Sequence, residues 1–115
     1  MPTYSQLAAV KQIDPSALAG IVSSHAARAK VVLLDVRTPD EFTGELGHIE
    51  GATLMPITDI AARAQELESS RDKTFITVCR SGVRSTSAAA VLAGLGFKDT
   101  ANLKGGMVAW REAGL

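Results

Sequence analysis

An α/β fold with a parallel sheet is what this sequence predicts, on two observations. Val31-Val32-Leu33-Leu34-Asp35-Val36 and Thr74-Phe75-Ile76-Thr77-Val78 are continuous apolar, β-branched-rich runs, the pattern of strands covered on both faces rather than strands with one wet face. Between and around these runs lie stretches with helical spacing and helix-start signals, and strands that alternate with helices pair in parallel through right-handed crossovers.

In chain order, Asp14-Pro15-Ser16 reads as a helix start, Asp14 capping free N–H groups and Pro15 at the first position, where its missing donor costs nothing; the helix should run to about Ser24. Val31–Val36 follows as a strand with Asp35 near its carboxyl end. Thr38-Pro39-Asp40-Glu41-Phe42 is a capped short helix, and Gly44 to Gly51 a loop punctuated by three glycines. Ala52–Met55 is a short strand before Pro56. Thr58-Asp59 opens a helix from Ile60 to about Glu68. Thr74–Val78 is the next strand and Cys79 ends it. Arg80 to Arg84 form a glycine-containing turn, and Ser85 to Leu95 a helix stopped by Gly94 and Gly96. Ala101-Asn102-Leu103 is a short strand, Gly105-Gly106 a turn, and a last helix runs through Trp110.

With 115 residues the chain has the size of one domain, 1–115. Twelve basic and twelve acidic residues cancel, so no long-range field is available to hold a nucleic acid or an anionic membrane. Neither a secretory signal nor a spanning segment is apparent, which points to a cytoplasmic protein. The one cysteine excludes an intrachain disulfide and a multi-cysteine zinc site. Cys79 is therefore buried filler or a working thiol, and in an arbitrary intracellular protein filler is the commoner case.

Its neighbours favour work. Ligands of open parallel α/β sheets bind beyond the carboxyl ends of the strands, where loops enter helices, and Cys79 sits there. The turn Arg80-Ser81-Gly82-Val83-Arg84 is able to curl its N–H groups into an anion-binding nest, with the next helix adding the positive end of its dipole. A free thiol with pKa about 8.5 is only a few per cent ionised near neutrality, and lowering a pKa by about two units takes about 2.7 kcal/mol. A helix terminus supplies about 0.3–1 kcal/mol, so hydrogen bonds to the anion, about 1.5–3 kcal/mol each, must carry the remainder. Arg80 and Arg84 are cationic donors, and the hydroxyls of Ser81, Ser85 and Thr86 are further candidates, Ser85 also as a helix cap.

Cys79-Arg80-Ser81-Gly82-Val83-Arg84-Ser85 resembles the active-site loop of single-domain rhodaneses. Leu34-Asp35-Val36-Arg37-Thr38-Pro39-Asp40-Glu41-Phe42, Gly47-His48-Ile49-Glu50-Gly51-Ala52 and Leu103-Lys104-Gly105-Gly106-Met107-Val108-Ala109-Trp110 resemble that family's other signatures, in its order and over nearly the whole chain. The resemblance implies a rhodanese-like fold, a central parallel sheet of about five strands flanked by helices on both faces. It implies a sulfurtransferase in which Cys79 takes sulfane sulfur from an anionic donor such as thiosulfate, releases sulfite and holds a persulfide. Arg80, Ser81, Gly82, Val83, Arg84 and Ser85 would bind substrate.

With no second cysteine to resolve it within the chain, the persulfide must pass its sulfur to cyanide, a small thiol or a partner protein. No cofactor and no metal is called for. Asp35, at the end of an apolar strand, should accept hydrogen bonds from loop backbone or a cation and support the site. Arg37 supports it from a salt bridge to Glu41, and His48 through a structural hydrogen bond; His25 is a surface residue and Trp110 packs in the core. Two alternatives stand beside this reading. One is a non-catalytic binding or regulatory module on the same fold. The other is a phosphatase-like or arsenate-reducing enzyme, disfavoured because Arg84 comes one position earlier than the arginine of Cys-x5-Arg loops and because no resolving cysteine is present.

Overall fold

The computed structural model describes residues 2–115. Its centre is a five-stranded sheet of β1 (Lys11–Ile13), β2 (Val31–Asp35), β3 (Thr53–Leu54), β4 (Thr74–Val78) and β5 (Thr100–Leu103), in the order β1-β5-β4-β2-β3. Every pairing is parallel. The helices are α1 (Tyr4–Ala8), α2 (Pro15–Val22), α3 (His25–Arg28), α4 (Pro39–Phe42), α5 (Ile60–Arg63), α6 (Val83–Gly94) and α7 (Gly106–Glu112).

The continuous apolar runs have the predicted cause. On β2, Leu33 faces one layer with Val31 while Leu34 faces the other; on β4, Phe75 and Ile76 divide in the same way. One core joins Leu34, Met55, Ile60, Leu67, Phe75, Ala88, Leu92 and Phe97 beneath α5 and α6. The other joins Leu18, Leu33, Ile49, Ile76, Val78, Leu103, Met107 and Trp110 beneath α2 and α7. Phe75 and Phe97 meet edge to face at 5.0 Å, a favoured geometry for aromatic rings. Among the described residues no helix is long and apolar enough to cross a membrane.

The structure departs from the sequence reading at several element boundaries. Asp14 flanks α2 in extended conformation, but its side chain makes no capping hydrogen bond. The helix stops at Val22, and Ser24 starts α3 by accepting from the Ala27 amide. The stretch from Ile60 is α-helical only to Arg63 and then tightens into a 3₁₀ helix, Ala64–Ser70. Helix α6 begins at Val83, two residues before the predicted start, because Gly82 turns the chain with φ +103°. Ser85 is accordingly inside the first turn and Gly82, not Ser85, holds the capping position.

Candidate active site

Cys79 follows β4 directly, at the carboxyl edge of the sheet and next to the strand order's centre. Cys79 is 1% exposed and packs with the core beneath α6. One amide and one hydroxyl reach its sulfur. The Gly82 amide donates to Sγ at 3.0 Å, and the Ser85 hydroxyl lies 3.1 Å from it. The nest expected from the sequence is thus one amide and one hydroxyl at the sulfur, rather than a ring of amides. The positive φ of Gly82 allows the chain to fold its own N–H back over the preceding cysteine, which a residue with a Cβ resists. Gly82 offers no side-chain cap, so the amino end of α6 faces this corner with its first-turn amides not capped by a side chain.

The loop is held from below by α7. Met107 N–H donates to the Cys79 carbonyl at 2.9 Å and Val108 N–H to the Arg80 carbonyl at 3.0 Å. Such an approach requires glycine at 106: a Cβ there would fall 2.5 Å from the Cys79 carbonyl oxygen and 2.6 Å from the Arg80 carbonyl carbon, and φ is +61°. The glycine pair that reads in sequence as a turn therefore carries the platform on which the cysteine loop rests.

On the β2 side, Asp35 and Arg37 form an ion pair with each side chain 1% exposed. Asp35 Oδ1 accepts from Arg37 Nε at 2.8 Å and from the Arg37 amide at 3.2 Å, and Oδ2 accepts from Nη2 at 2.7 Å. Arg37 also donates to the carbonyls of Gly47 at 2.7 Å and Glu41 at 3.1 Å, which ties down the glycine-rich loop. The salt bridge predicted between Arg37 and the Glu41 carboxylate is not made. Arg37 reaches only Glu41's main chain, because Asp35 is closer to hand and buried with it.

The Glu41 carboxylate instead takes both Nη groups of Arg84, 2.7 Å each, while its other role closes a capping box with Thr38 at the start of α4. The Arg84 hydrogen bonds hold the Glu41 carboxyl down at about 2, against an ordinary 4.5, and Glu41 in turn raises Arg84. Arg84, predicted as a substrate ligand, is thus already engaged by a fork-on-fork pair.

The remaining loop residues divide between two openings. Exposed Arg80 lines a cleft of about 310 Å³ with Arg37, Glu41, Glu45 and Leu46. Ser81, Gly82 and Val83 line a separate hollow with Gln12, Asn102 and Lys104, and Val83 is 75% exposed. Thr86 turns its hydroxyl to the Gly82 carbonyl at 2.6 Å and away from the sulfur. His48 is held by its Nδ1–H, which donates to the Phe42 carbonyl at 2.8 Å, and its ring stacks on Phe42 at 3.7 Å.

Thr77 and Asn102 are site residues that the sequence reading passed over. The Thr77 hydroxyl, wholly buried on β4, donates to the Ser85 carbonyl at 2.7 Å and so fastens α6 to the sheet. Asn102 on β5 is 2% exposed and its Oδ1 accepts from the Ser85 hydroxyl. A polar side chain inside an apolar strand was the available signal, since burial obliges it to find a partner.

Residues 18–113 match the rhodanese-like domain family, and the chain belongs to that family. It is 40% identical over 85 residues to a sulfurtransferase of Allochromatium vinosum, covering 74% of this chain and 76% of that one. It is 39% identical over 83 residues to the probable adenylyltransferase/sulfurtransferase MoeZ of Mycobacterium tuberculosis, 72% of this chain but only 21% of the relative, so the chain spans about a fifth of that protein's length. Its fold is similar to that of a Rhodopseudomonas palustris protein of unknown function, described as a possible tyrosine phosphatase, with a TM-score of 0.82 and 26% identity over 96% of this chain and 86% of that one. At the level of the family, the chain is a rhodanese-like domain with relatives named as sulfurtransferases.

Proposed function

We propose that residues 1–115 act as one rhodanese domain that moves sulfane sulfur from an anionic donor such as thiosulfate to a thiophilic acceptor through a persulfide on Cys79. The observation that supports it is the sulfur's position, at the end of β4 and held by the Gly82 amide and the Ser85 hydroxyl beside the uncapped amino end of α6. In the first half-reaction the Cys79 thiolate attacks the outer sulfur of thiosulfate; a new S–S bond forms, the bond to the sulfonate sulfur breaks, and sulfite leaves with the electron pair. In the second, cyanide, a small thiol or an acceptor protein attacks the outer persulfide sulfur and Cys79 departs as thiolate. No proton transfer is needed at the bond-breaking step, so stabilising anionic sulfur is the site's main task. The terminal sulfur of the persulfide would extend from Sγ toward the first turn of α6, where N–H groups and the helix dipole favour negative charge. Asp35, Arg37 and His48 would keep the loops around it in place.

Cys79→Ala tests this reading. The substitution removes one buried atom, so the variant should fold, form no thiocyanate from thiosulfate and cyanide, and gain no sulfur in intact mass when offered the donor. Turnover retained by the folded variant would overturn it.

One observation favours a second reading, a rhodanese-fold binding module without turnover: Cys79 is 1% exposed, which leaves a donor little access. Loading of one sulfur atom onto native protein by thiosulfate decides between them. The phosphatase-like reading fares worse, because a phosphoryl cradle needs its arginine free and Arg84 is committed to Glu41.

A further inference from the structure

The Ser85 hydroxyl has one proton and two neighbours that could receive it, Cys79 Sγ at 3.1 Å and Asn102 Oδ1. When Asn102 Oδ1 takes that proton, Asn102 Nδ2 donates onward to Gln12 Oε1 at 2.7 Å. The Cys79–Ser85 contact is then made by the S–H, with Ser85 as acceptor, which serves a thiol and not a thiolate.

The row is built by the sheet. Gln12 on β1 stands opposite Asn102 on β5, which stands opposite Thr77 on β4. Residues in register on parallel strands share a face, so three polar side chains cross the sheet side by side beneath the first turn of α6. The inner members are sealed, Ser85 and Thr77 at 0% and Asn102 at 2% exposure, whereas Gln12 is exposed and lines the solvent-open hollow with Ser81, Lys104 and Gly105.

We infer that Gln12 and Asn102 are positioning residues for the nucleophile: their amides form a reversible relay that sets whether the Ser85 proton points away from Cys79 or toward it. The two ends of a carboxamide are nearly the same size, so each amide fits its space in either sense. With both turned over, Gln12 donates to Asn102 Oδ1, Asn102 Nδ2 donates to Ser85 Oγ, and the Ser85 proton is free to meet a sulfur anion. Every buried polar atom stays satisfied in both settings, as a relay requires. The inference deepens the sulfur-transfer reading, in which Cys79 must hold negative charge.

Other charges also stand near the sulfur: Arg84 from α6, and behind it its partner Glu41 and the Asp35–Arg37 pair, while exposed Arg80 follows Cys79 in the chain and lines the neighbouring cleft. Lys104 stands at the rim of the hollow. None of them is removed by substitution at Gln12.

The test is Gln12→Glu, made in the native chain and in Ser85→Ala, read as the rate of Cys79 alkylation by iodoacetamide against pH at high salt. The plateau reports access to the buried sulfur; the midpoint reports its ionisation. A carboxylate only accepts, so Glu at 12 locks Asn102 with Oδ1 on Ser85. The midpoint should rise by about one unit, tenfold in thiolate fraction, as befits one hydrogen bond to a charged group. In Ser85→Ala there is no hydroxyl to redirect, and Gln12→Glu should leave the midpoint in place, since salt screens its exposed charge. Equal shifts in both backgrounds, or no shift in the native chain, would overturn the relay. Asn102→Asp should act in the same direction; if it fails to fold, the Gln12 pair still decides. Alkylation needs no sulfur donor, so an absence of sulfur transfer would sink the enzymatic reading without touching this result.

Discussion

Two hydrogen-bond systems meet at Cys79, one charged and one neutral, and they differ in what they can do. On the β2 side two ion pairs are fixed: Asp35 with Arg37, Glu41 with Arg84. These pairs cross between the loop after β2, α4 and α6, and being matched they hold geometry. On the β5 side Thr77, Ser85, Asn102 and Gln12 carry hydroxyls and amides whose protons can be reassigned without moving a heavy atom far. The sulfur changes charge during the proposed reaction, so the side that adapts should be the neutral one, while the charged side keeps the two in register.

Removing one charge from the buried pair should have the largest effect. Asp35→Asn leaves the Arg37 guanidinium, 1% exposed, without its counter-charge, and breaking such a pair costs about 3–5 kcal/mol. The urea unfolding midpoint should drop accordingly, whereas Gln12→Glu, on the neutral side and at an exposed position, should stay within about 0.5 kcal/mol of native. Similar losses for both would erase the distinction between the two sides. Gly106→Ala comes next, because it disturbs the floor they share. Its Cβ would meet the main chain of Cys79 and Arg80 at a φ of +61°, so the loss should reach about 2 kcal/mol or more. Alkylation of Cys79 should speed up with it, as Met107 and Val108 release the loop. An unchanged alkylation plateau would mean that α7 does not hold the sulfur in place.

These positions also show how far the sequence could be read. The strands β2 and β4 were legible because burial on both faces writes itself as an unbroken apolar run, and α4 because Thr38, Pro39 and Glu41 each have a local job at a helix start. The place of Cys79 at the end of β4 was legible from position and motif, but the extent of its loop was not, since α6 already starts at Val83. By contrast β1 is three residues with little burial, and only its register against β5 makes it a strand, which no local pattern records. Which carboxylate Arg37 or Arg84 would take was equally hidden, since both answers join residues distant in the chain or compete at similar spacing: Glu41 lies four residues from Arg37 yet binds Arg84, 43 positions away. Asn102 was visible as an oddity in an apolar strand. Its meaning required knowing that Gln12 and Thr77 flank it in the sheet.

The outer charged pair has a smaller effect than the buried pair or Gly106, and its sign with pH is definite. Glu41 is held at about 2 in the folded protein against 4.5 ordinarily, so its contribution to stability is fully present above 4.5 and is lost as pH falls from there through about 2. Both side chains are partly exposed, 37% for Arg84 and 29% for Glu41, which limits the contribution to about 1 kcal/mol. Glu41→Gln should therefore lower the urea midpoint modestly at neutral pH, with the gap to native closing below pH 4.5. Subtracting the two curves removes the acid response of Asp99, Glu66 and Glu68, whose carboxyls are also lowered by basic partners. The same variant sharpens the comparison in function. Released from Glu41, Arg84 is free to meet an anionic donor, and KM for thiosulfate should fall by up to about fivefold, the equivalent of ~1 kcal/mol. A rise in KM would mean that the pair positions Arg84 for the donor instead of withholding it, and the charged side would then belong to substrate binding as well as to the frame.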